Sequence, residues 1–297
     1  ILGLSCWRAA VIISLMAPAV FPLRPAIEED RSRLANLLHF ETHVHRHLDW
    51  RLPLDWLGHS PFLVSEQSAR ILAALACPPD PPGVAWIRLF AVTTRVDIGA
   101  AWQGLWAEAH QTLAEMQVLE AAAIPLNEWF ARELRATQFA HTHNVVVLNW
   151  NARQTVADRP GQGLVRPMAV GDLPAVYEVD KAAFVPLWQN PLQALEHAFE
   201  QAGYATVIED EGRVVAYQIS TLSAHGLHLA RLATHPSAQG RGLALTLTTD
   251  LQRQVQKGNE LRLSVNTQDN NQPSLALYKK LGFTLTGETF PVYEFKF

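Results

Sequence analysis

Gln239-Gly240-Arg241-Gly242-Leu243-Ala244 stands between LHLARLATH (227 to 235), which is stopped by Pro236, and LALTLTTDLQRQVQKG (243 to 258), which is closed by Gly258. The first flank reads as a strand. The second reads as an amphipathic helix with leucines at 243, 245, 247 and 251. A strand-to-helix turn holding two glycines permits positive φ and close approach of the backbone, and the helix N-terminus directs several N–H groups at whatever lies above it. That geometry suits a pyrophosphate, and Arg241 adds charge. Alone, such a turn is often only a tight connection, so its surroundings decide the reading.

Working outward, LVRPM (164 to 168) is a short strand, and GDLPAVYEVDKAAF begins a helix with Asp172 in its first turn. PLQALEHAFEQAG (191 to 203) is a second helix, ended by Gly203. YATVIED and RVVAYQIS flank the Glu211-Gly212 turn and make a hairpin over 204 to 220. LRLSVNT (261 to 267), a helix around PSLALYKKLG (273 to 282) and FTLTGETFPVYEFKF complete an order β-α-α-β-β-β-α-β-α-β.

In this setting two segments together resemble the GCN5-related N-acetyltransferase (GNAT) family. Its acyl-CoA loop, Q/R-x-x-G-x-G/A, appears as QGRGLA, and its later signature N-x-x-A-x-x-L-Y-x-K-L-G-F appears as NQPSLALYKKLGF from Asn271 to Phe283, departing only at Ser274. The resemblance covers 164 to 297 in order. It implies acetyl-CoA as co-substrate, a primary amine as acceptor, direct attack in a ternary complex, and no metal. It also implies that the backbone of Leu232, Ala233 and Thr234 runs beside the pantetheine, that residues 240 to 244, after Gln239, hold the pyrophosphate, and that Asn271 contacts the cofactor where two strands splay. Tyr278 would be the general acid, placed near the thioester sulfur. A helix aromatic packed on the core beside Leu277 and Leu281 is the bland alternative for Tyr278.

An unperturbed tyrosine at pKa about 10 protonates a thiolate at about 8.5 only uphill, by roughly 2 kcal/mol, so hydrogen bonding to the thiolate is the main expected role. At pH 7 a lysine-like amine is neutral only about 0.04% of the time and an α-amine about 14%. The family often carries a glutamate in the strand before the loop, but this chain has Ala230 there. His228, on the same strand face two residues earlier, is the nearest titratable substitute for the base, with His225 next. A solvated histidine, a water-relayed base or an acceptor amine of low pKa accounts for the gap as well.

The first half repeats the second. Leu23-Arg24-Pro25 with Asp30 matches Val165-Arg166-Pro167 with Asp172 at an offset of 142. Arg88-Leu89 and Gly99-x-Ala101 match Arg231-Leu232 and Gly242-x-Ala244 at 143, and Asn127, Leu134 and Phe139 match Asn271, Tyr278 and Phe283 at 144. Their common order and slow drift are those of a duplication with small indels. The expected organisation is an α/β (α+β) chain of two tandem GNAT-like domains, each a mixed central sheet flanked by helices. Residues 22 to 150 and 164 to 297 form them, 151 to 163 link them, and 1 to 21 extend the N-terminus. The first copy is expected to be degenerate: Val96-Asp97-Ile98-Gly99-Ala100-Ala101 puts a carboxylate where pyrophosphate would sit, Leu134 replaces Tyr278, and Gln138 replaces Gly282.

Composition agrees with 297 residues in two domains: 48% hydrophobic and 18% charged residues leave ample core material, and a net charge of -4 gives no general attraction to nucleic acid or anionic membrane. Eight of nine Trp precede residue 151, consistent with packing against the partner repeat or a platform for substrate. Cys6 and Cys77 lack metal or disulfide spacing, which points to reduced thiols and a cytoplasmic protein. The apolar stretch Ala9 to Phe21 is read as an early start with Met16 as initiator, an exported leader being the alternative. His43-x-His45-x-His47 is read as a polar helix end or loop rather than a metal site. Phe184 to Asn190, with Trp188, lies where the family's substrate groove is lined. A ribosomal-protein alanine acetyltransferase, a mycothiol-synthase-like small-molecule acetyltransferase and a non-catalytic acyl-CoA sensor remain as alternatives.

Overall fold

The structure is a computed structural model that describes residues 22–156, 163–223, 226–258 and 262–297. The expectations for Cys6, Met16 and the N-terminal stretch, for His225 and for part of the linker fall outside the described residues.

The first half runs β1 (Leu23–Pro25), α1 (Arg31–Phe40), β2 (His43–Arg46), β3 (Phe62–Gln67), β4 (Arg70–Ala76), β5 (Val84–Trp86), β6 (Leu89–Val92), α2 (Ile98–Glu115), β7 (Glu120–Ala123), α3 (Glu128–Ala136) and β8 (Ala140–Asn151). The second runs β9 (Val165–Pro167), α4 (Leu173–Ala183), α5 (Leu192–Glu200), β10 (Ala202–Asp210), β11 (Arg213–Ser223), β12 (Gly226–Thr234), α6 (Leu243–Lys257), β13 (Arg262–Gln268), α7 (Gln272–Lys280) and β14 (Thr284–Lys296). Sequence pattern explains the packing. In α6, Leu243, Leu247, Leu251 and Val255 recur every four residues and are all buried, which fixes the helix on the sheet, whereas β13 alternates inward and outward side chains as a strand must.

Five strands form one sheet in the order β1-β3-β4-β6-β2, and nine form another in the order β5-β7-β14-β8-β13-β12-β11-β10-β9. Every neighbouring pair is antiparallel except β5 with β7 and β12 with β13. The centre of the larger sheet is an exchange. β8, the last strand of the first repeat, pairs with β13 of the second, while β14, the last strand of the second, pairs with β7 of the first. β8 and β14 also pair with each other, from Thr284 with Asn149 to Glu294 with Ala140.

The repeat appears as repeated interactions. Arg24 grips Asp30 through its two terminal guanidinium nitrogens at 2.6 and 2.9 Å, and Arg166 grips Asp172 in the same way at 2.7 and 2.8 Å. Each aspartate also accepts a backbone N–H three residues upstream, from Ile27 and from Ala169.

Three expectations need correction. The first repeat lacks the second of the paired helices: its place is taken by β2 and a short 3-10 turn at Pro53–Trp56. His43, His45 and His47 are therefore not at a helix end. Strand alternation puts them on one face, where their rings meet Trp129, Phe130 and Trp86 respectively. His45 is buried and its Nε2 is hydrogen-bonded to the Ile87 carbonyl at 3.1 Å. Gly203 does not end a helix either. α5 stops at Glu200 and Gly203 lies in β10, where a Cβ would come within 3.2 Å of Leu222 and Leu227.

Candidate active site

β12 and β13 are neighbours only at Leu227–Leu229 against Leu263–Val265. From Ala230 to Thr234 the edge of β12 turned away from β11 has no strand partner among the described residues. Unpaired N–H and C=O groups along a strand edge can take an extended chain as an added strand. At the end of this edge comes the loop. Gly240 and Gly242 have φ of +77° and +79°, a region in which a Cβ is strained, and Gly242 is the N-cap of α6 with no side chain capping it. The first N–H groups of α6 thus stay available for an acceptor from outside. Arg241 reaches Asp210 at 2.6 Å on the surface.

Tyr278 projects from α7 with its ring in the core against Phe283 and its residue only 4% exposed. Among the described residues its hydroxyl makes no hydrogen bond, and it lines a cavity of about 500 Å³ at the opening between β12 and β13. Burial pushes the phenol well above its ordinary value, so it stays protonated. His228 lines the same cavity; its Nδ1 lies 2.9 Å from Ser264 Oγ on β13. Burial lowers its pKa, which keeps the imidazole neutral at pH 7. When Nδ1–H donates to Ser264, Nε2 is left as a proton acceptor. Asn271 is the N-cap of α7: its carbonyl oxygen accepts from Ser274 N–H at 3.2 Å and its amide donates to Gln268 at 3.3 Å, while the residue still lines the cavity.

Residues that the sequence reading passed over shape the rest. Asp180, fully buried in α4, accepts two bonds from Arg231 at 2.7 and 2.8 Å, one from Tyr217 and one from the Asn190 backbone at 2.8 Å. Arg231 also donates to the Trp188 carbonyl at 2.6 Å and stacks on Phe184. A single buried ion pair thus ties the 184–190 loop to β12 beside the cavity. Arg231 was visible in sequence only as the repeat partner of Arg88. The first repeat braces the same loop from its other side: Trp86 Nε1 donates to the Leu187 carbonyl at 3.2 Å, and Trp86 meets Trp188 edge to face. Trp188 is half-buried and lines the cavity, as do Asp49, Arg51, Asp80 and Arg88 of the first repeat.

The corresponding loop of the first repeat is closed. Asp97, not a glycine, is the N-cap of α2 and accepts from Ala100 N–H at 2.8 Å. α2 begins two residues earlier than the sequence match implied, so the carboxylate takes the cap itself and Gly99 falls inside the first turn. A second carboxylate, buried Glu133, lies near enough that a Cβ on Gly99 would be 3.2 Å from it. Leu134 is fully buried where Tyr278 stands in the second repeat.

The Acetyltransferase (GNAT) family model matches residues 173–283. Over that stretch the chain is similar to the GNAT acetyltransferases. A Bacillus subtilis (strain 168) protein, named provisionally as a ribosomal protein bS18-alanine N-acetyltransferase, is 28% identical over 120 residues, which are 40% of this chain and 78% of its own length. Solved structures extend the likeness to both repeats. A GCN5-related N-acetyltransferase from Sphaerobacter thermophilus aligns over 94% of this chain and 96% of its own at 14% identity, TM-score 0.59. A tandem GNAT protein from the clavulanic acid biosynthesis pathway aligns over 93% and 98% at 14% identity, TM-score 0.60. The chain thus has the fold of two GNAT-like domains, and the protein is an acetyl-CoA-dependent acyltransferase. No helix among the described residues is long and apolar enough to cross a membrane.

Proposed function

We propose that the second repeat, residues 164–297, acetylates a primary amine held between Tyr278 and His228, and that the first repeat, 22–150, binds no acetyl-CoA. Bound acetyl-CoA supplies an activated acetyl group as a thioester. The open edge of β12 at Leu232, Ala233 and Thr234 takes its extended arm. The turn from Gln239 through Gly240, Arg241, Gly242 and Leu243 to Ala244 receives its phosphates at the uncapped start of α6, and Asn271 borders it at the splay.

Neutral His228 removes the proton that the amine loses on attacking the acetyl carbonyl. Tyr278 donates a hydrogen bond to the departing sulfur. With its pKa raised by burial, the phenol gives up its proton less readily than free tyrosine, so stabilising the thiolate outweighs protonating it. A base weakened by burial takes up the proton released on attack but does not deprotonate an ammonium beforehand, so the acceptor amine has to enter the cavity already neutral.

The observation that carries this reading is that Tyr278, whose hydroxyl has no partner among the described residues, and His228, kept neutral by burial, line one cavity where β12 loses its neighbour. A protein N-terminal amine is supported by the Bacillus subtilis relative. A small-molecule amine is supported by a cavity walled by both repeats. The test is a screen of amines and peptides read by CoA release, with Tyr278→Phe and His228→Gln as variants. Acetyl-CoA binding without CoA release from any acceptor would overturn the proposal, and undiminished turnover in either variant would remove that residue's role.

A further inference from the structure

The cavity has charged groups on its first-repeat side that the chemistry above does not use. Three of its charges are matched within the protein: Arg231 by Asp180, and Arg88 and Asp49 by each other at 2.7 Å. Two are not. Among the described residues the Asp80 carboxylate makes no hydrogen bond or ion pair, although Arg88 and Arg51 act on it through space, and the Arg51 guanidinium lies over the face of Trp56, 4.1 Å away, with no hydrogen bond or ion pair of its own. Both residues are half-buried and line the cavity.

Asp80 is held in place by its backbone. Its N–H donates to the Val84 carbonyl at 2.9 Å, and its own carbonyl accepts from Arg88 at 3.1 Å. Burial raises its pKa despite the nearby Arg88 and Arg51, so the anion is under-solvated where it stands. The cavity lining also includes the apolar Ile124, Val145, Leu187 and Leu229, a surface suited to methylenes. A carboxylate and a guanidinium that lie near each other without a hydrogen-bonded partner are complementary to a ligand end that carries an ammonium and a carboxylate together.

We propose that the first repeat is the acceptor-recognition wall, and that Asp80 and Arg51 bind an amino-acid zwitterion at the end of the acceptor opposite the amine that is acetylated. The acceptor class is then a free diamino acid. This rests on the proposed reaction at Tyr278 and His228, which places the reacting amine.

Four probes separate the contributions: lysine carries both groups, cadaverine only the second ammonium, aminohexanoate only the carboxylate, and pentylamine neither. By CoA release, lysine should have a kcat/KM about tenfold or more above cadaverine and aminohexanoate, the size expected of one charge-assisted hydrogen bond. Asp80→Asn should raise KM for lysine about tenfold, leave kcat within about threefold, and leave aminohexanoate unaffected, which also shows that the variant is folded. Arg51→Gln should do the same while sparing cadaverine. Lysine no better than pentylamine, or an unchanged lysine KM in both variants, would overturn the inference even with the acetyltransferase reading intact. If no amine releases CoA, that reading fails instead, and calorimetric titration of lysine decides: binding lost in Asp80→Asn sustains the wall, and no binding to the wild type overturns it.

Discussion

The two repeats trace the same path and meet opposite fates at the same positions. At the start of the long helix the second repeat places Gly242 in the left-handed region with no cap, and the first places Asp97, which caps its own helix with Glu133 close by. At the later helix one buries a tyrosine that lines a cavity and the other a leucine. After that helix both chains need positive φ, +82° at Gly282 and +68° at Gln138. The grip of Arg24 and Arg166 on the aspartates that start each repeat survives in both. Few side chains separate a donor site from a scaffold, and the scaffold then becomes free to line its partner's cavity.

Separating the repeats tests this comparison most harshly. A fragment of residues 163–297 lacks β8, the strand between β13 and β14, and should be unfolded by circular dichroism, whereas a fragment beginning at residue 139 should recover a cooperative thermal transition. Next in size, Tyr278→Phe should lower kcat about 10²- to 10³-fold with little change in KM for acetyl-CoA, while Leu134→Tyr should confer nothing. Acetyl-CoA should titrate at one per chain, and two would break the comparison outright.

Acid should weaken the first repeat through its histidine face. Burial holds His45 at about 4 in the folded chain, below its ordinary 6.5, and lowers His47 as well. The unfolded chain therefore takes up protons first as pH falls. Stability is full above 6.5 and declines through the window down to 4, by up to roughly 3 kcal/mol for His45 at about 1.4 kcal/mol per pH unit. Melting temperatures at pH 7 and pH 5 should show the loss, and His45→Phe should flatten it. The smallest effect is Gln138→Gly, which relieves a left-handed non-glycine and should stabilise by up to about 1 kcal/mol in a denaturant titration.

Much of this was legible in the sequence because it resides in local chemistry. Glycines 240 and 242 announce their φ values, and the strand and helix periods of the second half announce its order. The offset of 142 between Arg24 and Arg166 marked an interaction that the structure repeats. What was illegible depends on distant partners. His43, His45 and His47 read as a polar helix end or loop, because nothing in their spacing reveals Trp129, Phe130 and Trp86, which supply the face they pack on. Asp180 carried no signal as an ordinary helix acid; only the fold brings Arg231 and Tyr217 to it. Asp49 and Asp80 lie far upstream of the acetyltransferase motifs, and no spacing rule connects them to Tyr278.

The exchanged strands also set a timetable for synthesis. β7 of the first repeat finds its antiparallel neighbour in Tyr293–Lys296, at the end of the 297-residue chain. The five-stranded sheet β1-β3-β4-β6-β2 is complete in sequence by Val92, but β5, β7 and β8 wait for the second repeat before the larger sheet can close. Vectorial folding, in which an upstream unit is complete before the next emerges, can therefore proceed through the smaller sheet but not through the larger one. The larger sheet closes only when β14 has been added to β7 and β8.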